Sequence, residues 1–220
     1  MKARKRPPGR GRSKRPSVRA AKSRVSPGRP PSGRVHLYLA LSLDGYIAAP
    51  DGGVDWLTPY ADARADFGPF IQTIGSAVLG RVTYDHAAKY GYRNFGEMPS
   101  YVVTHRPFRP PVPAIIPFTG DLAELVGQLR ARHPGDIWLM GGGRLTKAFQ
   151  ELDLIDIWTV SFVPTLLGAG VPLFPPSAFA ERRIGLVGTD RFPSGVIRLR
   201  YERADPSRRG RSPRTSGKPL

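Results

Sequence analysis

Between Ile137 and Phe149 the chain reads IWLMGGGRLTKAF: an apolar run, three consecutive glycines, and a helix-like segment with no spacer. Glycine lacks a Cβ, so the backbone there can turn sharply and approach a ligand closely. A helix that begins at such a turn presents unpaired N–H groups and a partial positive charge, a ready seat for a pyrophosphate. In an open α/β sheet that seat lies at the carboxyl ends of the strands. The stretch therefore asks for a buried strand feeding a helix across a tight turn. A tight turn without a ligand is the competing reading, because the triplet is neither the GxGxxG dinucleotide fingerprint nor a GxxxxGK[ST] P-loop.

The remaining pattern agrees with an α/β chain. Val35–Leu41 reads as a buried strand, ended by the turn Ser42-Leu43-Asp44-Gly45. Residues 61–74 are expected as an amphipathic helix, with Phe67, Phe70, Ile71 and Ile74 on one side. Short strands follow at 77–79, 101–104 and around Ile115 and Ile116, with a short helix over 81–89. Asp121 is placed to N-cap a helix to about Arg132. Strands at 137–140 and 155–160 flank the glycine-turn helix, and 183–190 with 195–202 form a hairpin turning at Pro193-Ser194-Gly195. Strands alternating with helices, closed by a hairpin, predict a mostly parallel twisted sheet with an antiparallel edge and helices on both faces.

The formal net charge of +17 suggests a nucleic-acid binder until its distribution is read. Residues 1–34 hold thirteen of the 34 Lys and Arg and no acid, and 204–220 hold five with one Asp. The segment 35–203 is left with sixteen basic and sixteen acidic residues, so the expected domain is neutral and the basicity belongs to two tails. The tails cannot offset their chain entropy by burial and are expected to be disordered. For the first of them three readings stay open: a solvated extension, a non-specific contact with nucleic acid or an anionic surface, or an extension upstream of a start at Val35. The chain has no cysteine, which excludes thiolate chemistry and disulfides. No apolar run is long enough for a membrane span and no signal-like segment opens the chain, so a cytoplasmic location is expected.

Two further strand ends offer groups suited to phosphate. Leu79-Gly80-Arg81-Val82-Thr83 places a glycine, an arginine and a hydroxyl just after one strand, and Thr104-His105-Arg106 does the same after another. Arginine forks grip phosphate oxygens, and a 2′-phosphate on an adenosine ribose would use such a cluster, favouring NADPH over NADH. His36, in an apolar strand, reads as packed. His86, His105 and His133 lack metal-ligand spacing. Trp138 and Trp158 read as core, while Tyr84, Tyr90 and Tyr92 read as either cleft or packing residues.

The motifs ALSLDGYIA (40–48), VDWL (54–57), AVLGRVTYD (77–85), YVVTHRP (101–107), IWLMGGGRLTKAF and VPTLLGAGVPLF (163–174) together resemble the dihydrofolate-reductase-like proteins that include the reductase domain of bacterial riboflavin biosynthesis. The resemblance spans about 35–203. It implies a dihydrofolate-reductase-like three-layer fold, NADPH as hydride donor, and a homodimer. It also implies roles. Gly80, Arg81 and Thr83 match the segment that grips the adenosine side of the cofactor, and Thr104, His105 and Arg106 the segment near its 2′-phosphate. Gly141, Gly142, Gly143, Arg144 and Leu145 match the pyrophosphate turn. Ser42, Asp44 and Gly45 fall on the loop near nicotinamide and substrate, and Trp56 on the substrate-side loop. The strand before the glycines commonly ends in an acidic residue that holds the substrate. Met140 stands there, and its apolar side chain cannot accept those hydrogen bonds. Dihydrofolate reductases themselves use a carboxylate on the first helix to aid protonation, and Asp62 lies near that place.

These readings lead to a reductase that passes a hydride from NADPH to a small pterin- or pyrimidine-like substrate. Asp44 is the first candidate for orienting or proton relay and Asp62 the second. Their plainer alternatives are an Asx turn with Gly45 and a charge complementing a helix dipole. The rival function is a non-catalytic nucleotide-binding module whose basic tails contact nucleic acid.

Overall fold

The computed structural model describes residues 33–89, 97–178 and 180–204. All but the inner ends of the two basic tails, and Tyr90 and Tyr92, lie outside these residues. An eight-stranded sheet has the order β5-β4-β3-β6-β1-β7-β10-β9. Its strands are β1 (Val35–Ser42), β3 (Ile74–Gly80), β4 (Ser100–Val103), β5 (Ile115–Phe118), β6 (Asp136–Gly141), β7 (Ile157–Val163), β9 (Ile184–Arg191) and β10 (Ile197–Arg203). From β5 through β7 every pairing is parallel, and the β9–β10 hairpin closes the sheet antiparallel to β7. This is the expected α/β architecture, antiparallel edge included.

β1 lies between β6 and β7 and must be apolar on both faces. Val35, Leu37 and Leu41 pack with Leu125 and Leu129 of α3 (Leu122–Arg132) and Leu145 and Phe149 of α4 (Gly143–Glu151). The alternate residues His36 and Tyr38 face the opposite layer, where Tyr38 stacks on Phe70 at 4.1 Å between ring centroids. That layer holds α1 (Phe67–Ile71) and α2 (Arg81–Lys89). As expected, Asp121 caps α3 by accepting from the Glu124 N–H at 2.9 Å.

The expected helix over 61–74 is corrected by the structure. A 3-10 segment runs from Asp55 to Arg64, α1 occupies only Phe67–Ile71, and Ile74 already belongs to β3. Pro69 explains the break: it lacks an N–H and fits a helix only in its first turn, so a helix holding it must begin near Phe67. Pro59 sits in the 3-10 segment next to Tyr60, which departs from helical geometry at φ −110°, ψ 36°. The expected apolar side survives: Phe67, Ile71 and Ile74 pack with Phe70, Ala77 and Trp138. β7 lies two to three residues later than expected. A small antiparallel pair, β2 (Tyr46–Ala48) with β8 (Val171–Pro172), was not anticipated.

The glycine triplet answers packing needs. Gly141 has φ +92°, in the region that favours glycine. A Cβ on Gly143 would lie 2.2 Å from the Pro172 carbonyl oxygen, so α4 presses directly on the β8 backbone. Gly143→Ala should therefore lower stability by about 1–3 kcal/mol, because the obstructing atom is main chain. Gly127→Ala, inside α3 with open space around it, should raise stability by about 0.5–1 kcal/mol. Thermal unfolding of the two variants checks the pair, and equal effects would contradict this packing.

His36 is buried in the central strand, with Nε2 2.8 Å from Thr159 Oγ1. Burial, reinforced by Arg200 and Arg34, pushes its pKa down from 6.5 to about 3. The unfolded chain takes up this proton below pH 6.5 while the folded chain does not until about pH 3. Stability present at neutral pH is thus lost progressively as pH falls through that window. Exposed His133, whose pKa burial and Arg132 also lower, adds to the same trend. Melting temperature should fall on acidification from about pH 7 to about pH 5, and His36→Gln should flatten most of that slope. Parallel slopes in variant and wild type would contradict the assignment.

Candidate functional site

Because six neighbouring strands run parallel, their carboxyl ends meet along one edge of the sheet. The chain passes from β6 through α4 to β7 on the other side of β1, and such a reversal opens a crevice at the strand ends. The phosphate-type residues line up here. Gly142, the N-cap of α4, provides no side-chain cap, which leaves the N–H groups of the first turn available. Below them Thr146 is fully buried, and its Oγ1, 3.4 Å from where a Gly141 Cβ would stand, has no hydrogen-bond partner. Arg144 is exposed, whereas Leu145 is buried in the core and contributes only its backbone to the turn.

Thr83, one turn into α2, accepts the Gly142 N–H at 3.0 Å and so fastens the strand-to-helix turn after β3 to the one after β6. Gly80 lies beside Gly141, with the Gly141 carbonyl oxygen 3.9 Å from a Cβ placed on it. Arg81 is held on two sides: Nε bonds Asp85 at 2.7 and 2.9 Å, and the guanidinium lies 4.5 Å from the centroid of Phe108. A 3.4 Å bond from Arg81 to the Pro107 carbonyl oxygen brings in the loop after β4. In that loop buried Thr104 accepts the Arg106 N–H at 3.0 Å, leaving His105 and Arg106 exposed at the rim. Two arginines, an uncapped helix start and a buried unpartnered hydroxyl form a donor-rich set that fits phosphate groups.

Next to this edge, on the α1 face of the sheet, lies a cavity of about 280 Å³. Its floor is Tyr38 and Ala40 of β1, Trp138 and Met140 of β6, and Ser161 of β7. Its roof is Leu57, Tyr60, Ala63, Arg64 and Phe67, and Arg198 of β10 closes one side. The wall contains no carboxylate. Met140 thus stands in the cavity while the next residue opens the glycine turn, so cavity and turn share one strand end. Trp56 is not in the wall; its neighbour Leu57 is, and the Trp56 Nε1 is buried without a partner.

Both candidate carboxylates are engaged elsewhere. Asp44 accepts from Ser42 Oγ at 2.6 Å and from the N–H groups of Leu167 and Gly168 at 3.1 and 2.7 Å. The Ser42 bond, with the two backbone donors, holds its carboxyl below the ordinary range. Ser42, fully buried, also accepts the Tyr46 N–H at 2.9 Å, and Gly45 takes a turn conformation at φ +91°. This cluster ties the end of β1 to the 165–168 loop. Asp62 accepts the Ser194 N–H at 2.9 Å, and Ser194 likewise lowers its pKa. Asp62 therefore fastens the 3-10 segment to the β9–β10 turn and lies outside the cavity wall.

Sequence reasoning missed Arg198, Ser161 and Tyr38 as wall residues and took Trp138 for core alone. Arg198 and Arg200 alternate in an edge hairpin, a pattern that ordinarily marks a solvent face. Only the register Arg198 opposite Ser161, set by the β10–β7 pairing, turns the first of them inward.

Comparison with known proteins matches this geometry. Residues 34–198 match the family described as the RibD C-terminal domain. Over 180 residues the chain is 32% identical to the uncharacterized protein YwjB of Bacillus subtilis (strain 168), covering 76% of this chain and 97% of that protein. The putative riboflavin biosynthesis protein from Shewanella sp. PV-4 shares the fold with a TM-score of 0.71 and 24% identity, over 78% of this chain and 99% of its own. The dihydrofolate reductase of Enterococcus faecalis, complexed with NADP(H), also shares it, with a TM-score of 0.58 and 18% identity over 80% of this chain and all of its own. The glycine turn, the strand-end arginines and the matched span agree, and the chain belongs to the RibD C-terminal domain family.

Proposed function

We propose that the chain is an NADPH-dependent reductase acting on a small, flat heterocycle of pterin- or pyrimidine-like shape. The observation that carries this reading is the shared strand end: Met140 lines the cavity and Gly141 begins the donor-rich turn. A dinucleotide seated on the turn has its reactive end next to the cavity. NADPH would supply a hydride there. The first-turn N–H groups of α4 and Thr146 would hold its pyrophosphate, and Arg81, Thr104, His105 and Arg106 its 2′-phosphate.

The rest of the site orients and excludes water. Trp138, Phe67 and Tyr38 offer ring faces against which a planar acceptor can lie. Asp44 is a positioning residue: by clamping the 165–168 loop it sets the shape of the edge beside β1. Held ionised, neither Asp44 nor Asp62 is poised to give up a proton at neutral pH, and neither lines the cavity. The proton that completes the reduction is assigned to solvent.

Fluorescence titration of the full chain with NADPH and NADH tests this reading. NADPH should bind more tightly, and Arg106→Ala should weaken NADPH by about tenfold while changing NADH little, as expected for loss of one arginine–phosphate contact. Binding of neither nucleotide would remove the reductase reading and leave the tail-centred module as its rival.

A further inference from the structure

Arg198 is only 4% exposed, yet it borders a cavity whose wall holds no carboxylate. Nε donates to Ser161 Oγ at 3.0 Å, one terminal nitrogen donates to Asp66 at 2.8 Å, and the other to the Ala63 carbonyl oxygen. A guanidinium has five N–H donors, so these three bonds leave two more on a cavity-lining group. Asp66, whose side chain is 58% exposed, and Asp190, opposite Arg198 across the hairpin, are near it, but neither is in the wall. Arg64 adds a second cation to the lining. Flat aromatic surfaces and a buried cation without an acid on the cavity side define a chemistry.

We propose that this cavity takes a planar aromatic molecule that presents an anionic or carbonyl oxygen edge to Arg198, and that it rejects cationic rings. The assignment rests on reading the cavity as the acceptor site. An oxygen edge supplies the acceptors that the remaining guanidinium donors lack, through charge-assisted bonds. An amidinium or ammonium edge meets like charge and finds no carboxylate. The aromatic walls contribute area to either kind of ring, so the charge of the edge decides between them.

Two probes with the same two-ring frame and opposite charge separate these outcomes: 2-naphthoate and 2-naphthamidine, titrated calorimetrically into the full chain and into Arg198→Met. The wild type should bind the carboxylate at least about tenfold more tightly than the amidine, and Arg198→Met should lose that preference. NADPH titration of the same samples reports separately on the reductase reading. A protein that binds NADPH but takes both probes equally, prefers the amidine or binds neither overturns the charge assignment and leaves the reductase reading standing. Undiminished naphthoate binding by a folded Arg198→Met overturns it as well, because the anion then sits elsewhere. The wild-type preference decides the question even where the variant does not fold.

Discussion

The parallel pairing of β1 with β6 on one side and β7 on the other is the constraint on which the rest of this molecule depends. It sets Leu37 between Leu139 and Trp158 and carries the three strand ends Ser42, Gly141 and Val163 to one edge. Everything assigned to the site is attached to those ends or lies on the face beside them. A slip of one residue in β1 would turn Tyr38 and Ala40 away from the cavity and put Leu37 and Leu39 in their place. The register is guarded by burial on both faces: Leu37 is fully buried on one side, and His36 is hydrogen-bonded among aromatic rings on the other.

Around this centre, polar side chains act chiefly as fastenings. Thr83 binds one strand-to-helix turn to the next, Asp44 joins the end of β1 to the 165–168 loop, and Asp62 joins the roof to the hairpin turn. Arg198 joins roof and floor and is itself part of the wall. The 3-10 segment of the roof contains no buried residue, so such links, rather than core packing, hold it over the cavity. Residues that would catch the eye as catalytic acids in a sequence are thus spent on shape, while the donor groups of backbone and arginine are left for a ligand.

Much of this was legible before the structure, for physical reasons that differ from element to element. The buried strand at Val35, the Asp121 cap and the glycine turn each depend on a few neighbouring residues, and local chemistry revealed them. The 61–74 segment failed because its apolar spacing suited a helix while Pro69 restricted where that helix could start and β3 claimed Ile74. The β2–β8 pair joins residues more than a hundred positions apart and leaves no local trace. The cavity wall was half legible. Met140 stood out by its place before the glycines, but Arg198 and Ser161 became wall residues only through strand register. Asp44 and Asp62 were singled out by residue type and position, and only the hydrogen bonds made to them revealed their partners.

The central claim is that the turn after β6 seats a dinucleotide whose reactive end reaches the cavity. A crystal structure of the full chain with NADP⁺ tests it most directly. The account predicts the pyrophosphate on the N–H groups of residues 143–145, the 2′-phosphate beside Arg81 and Arg106, and the nicotinamide at the cavity mouth next to Met140. A nucleotide bound away from the glycine turn, or one that leaves the cavity untouched, would contradict it.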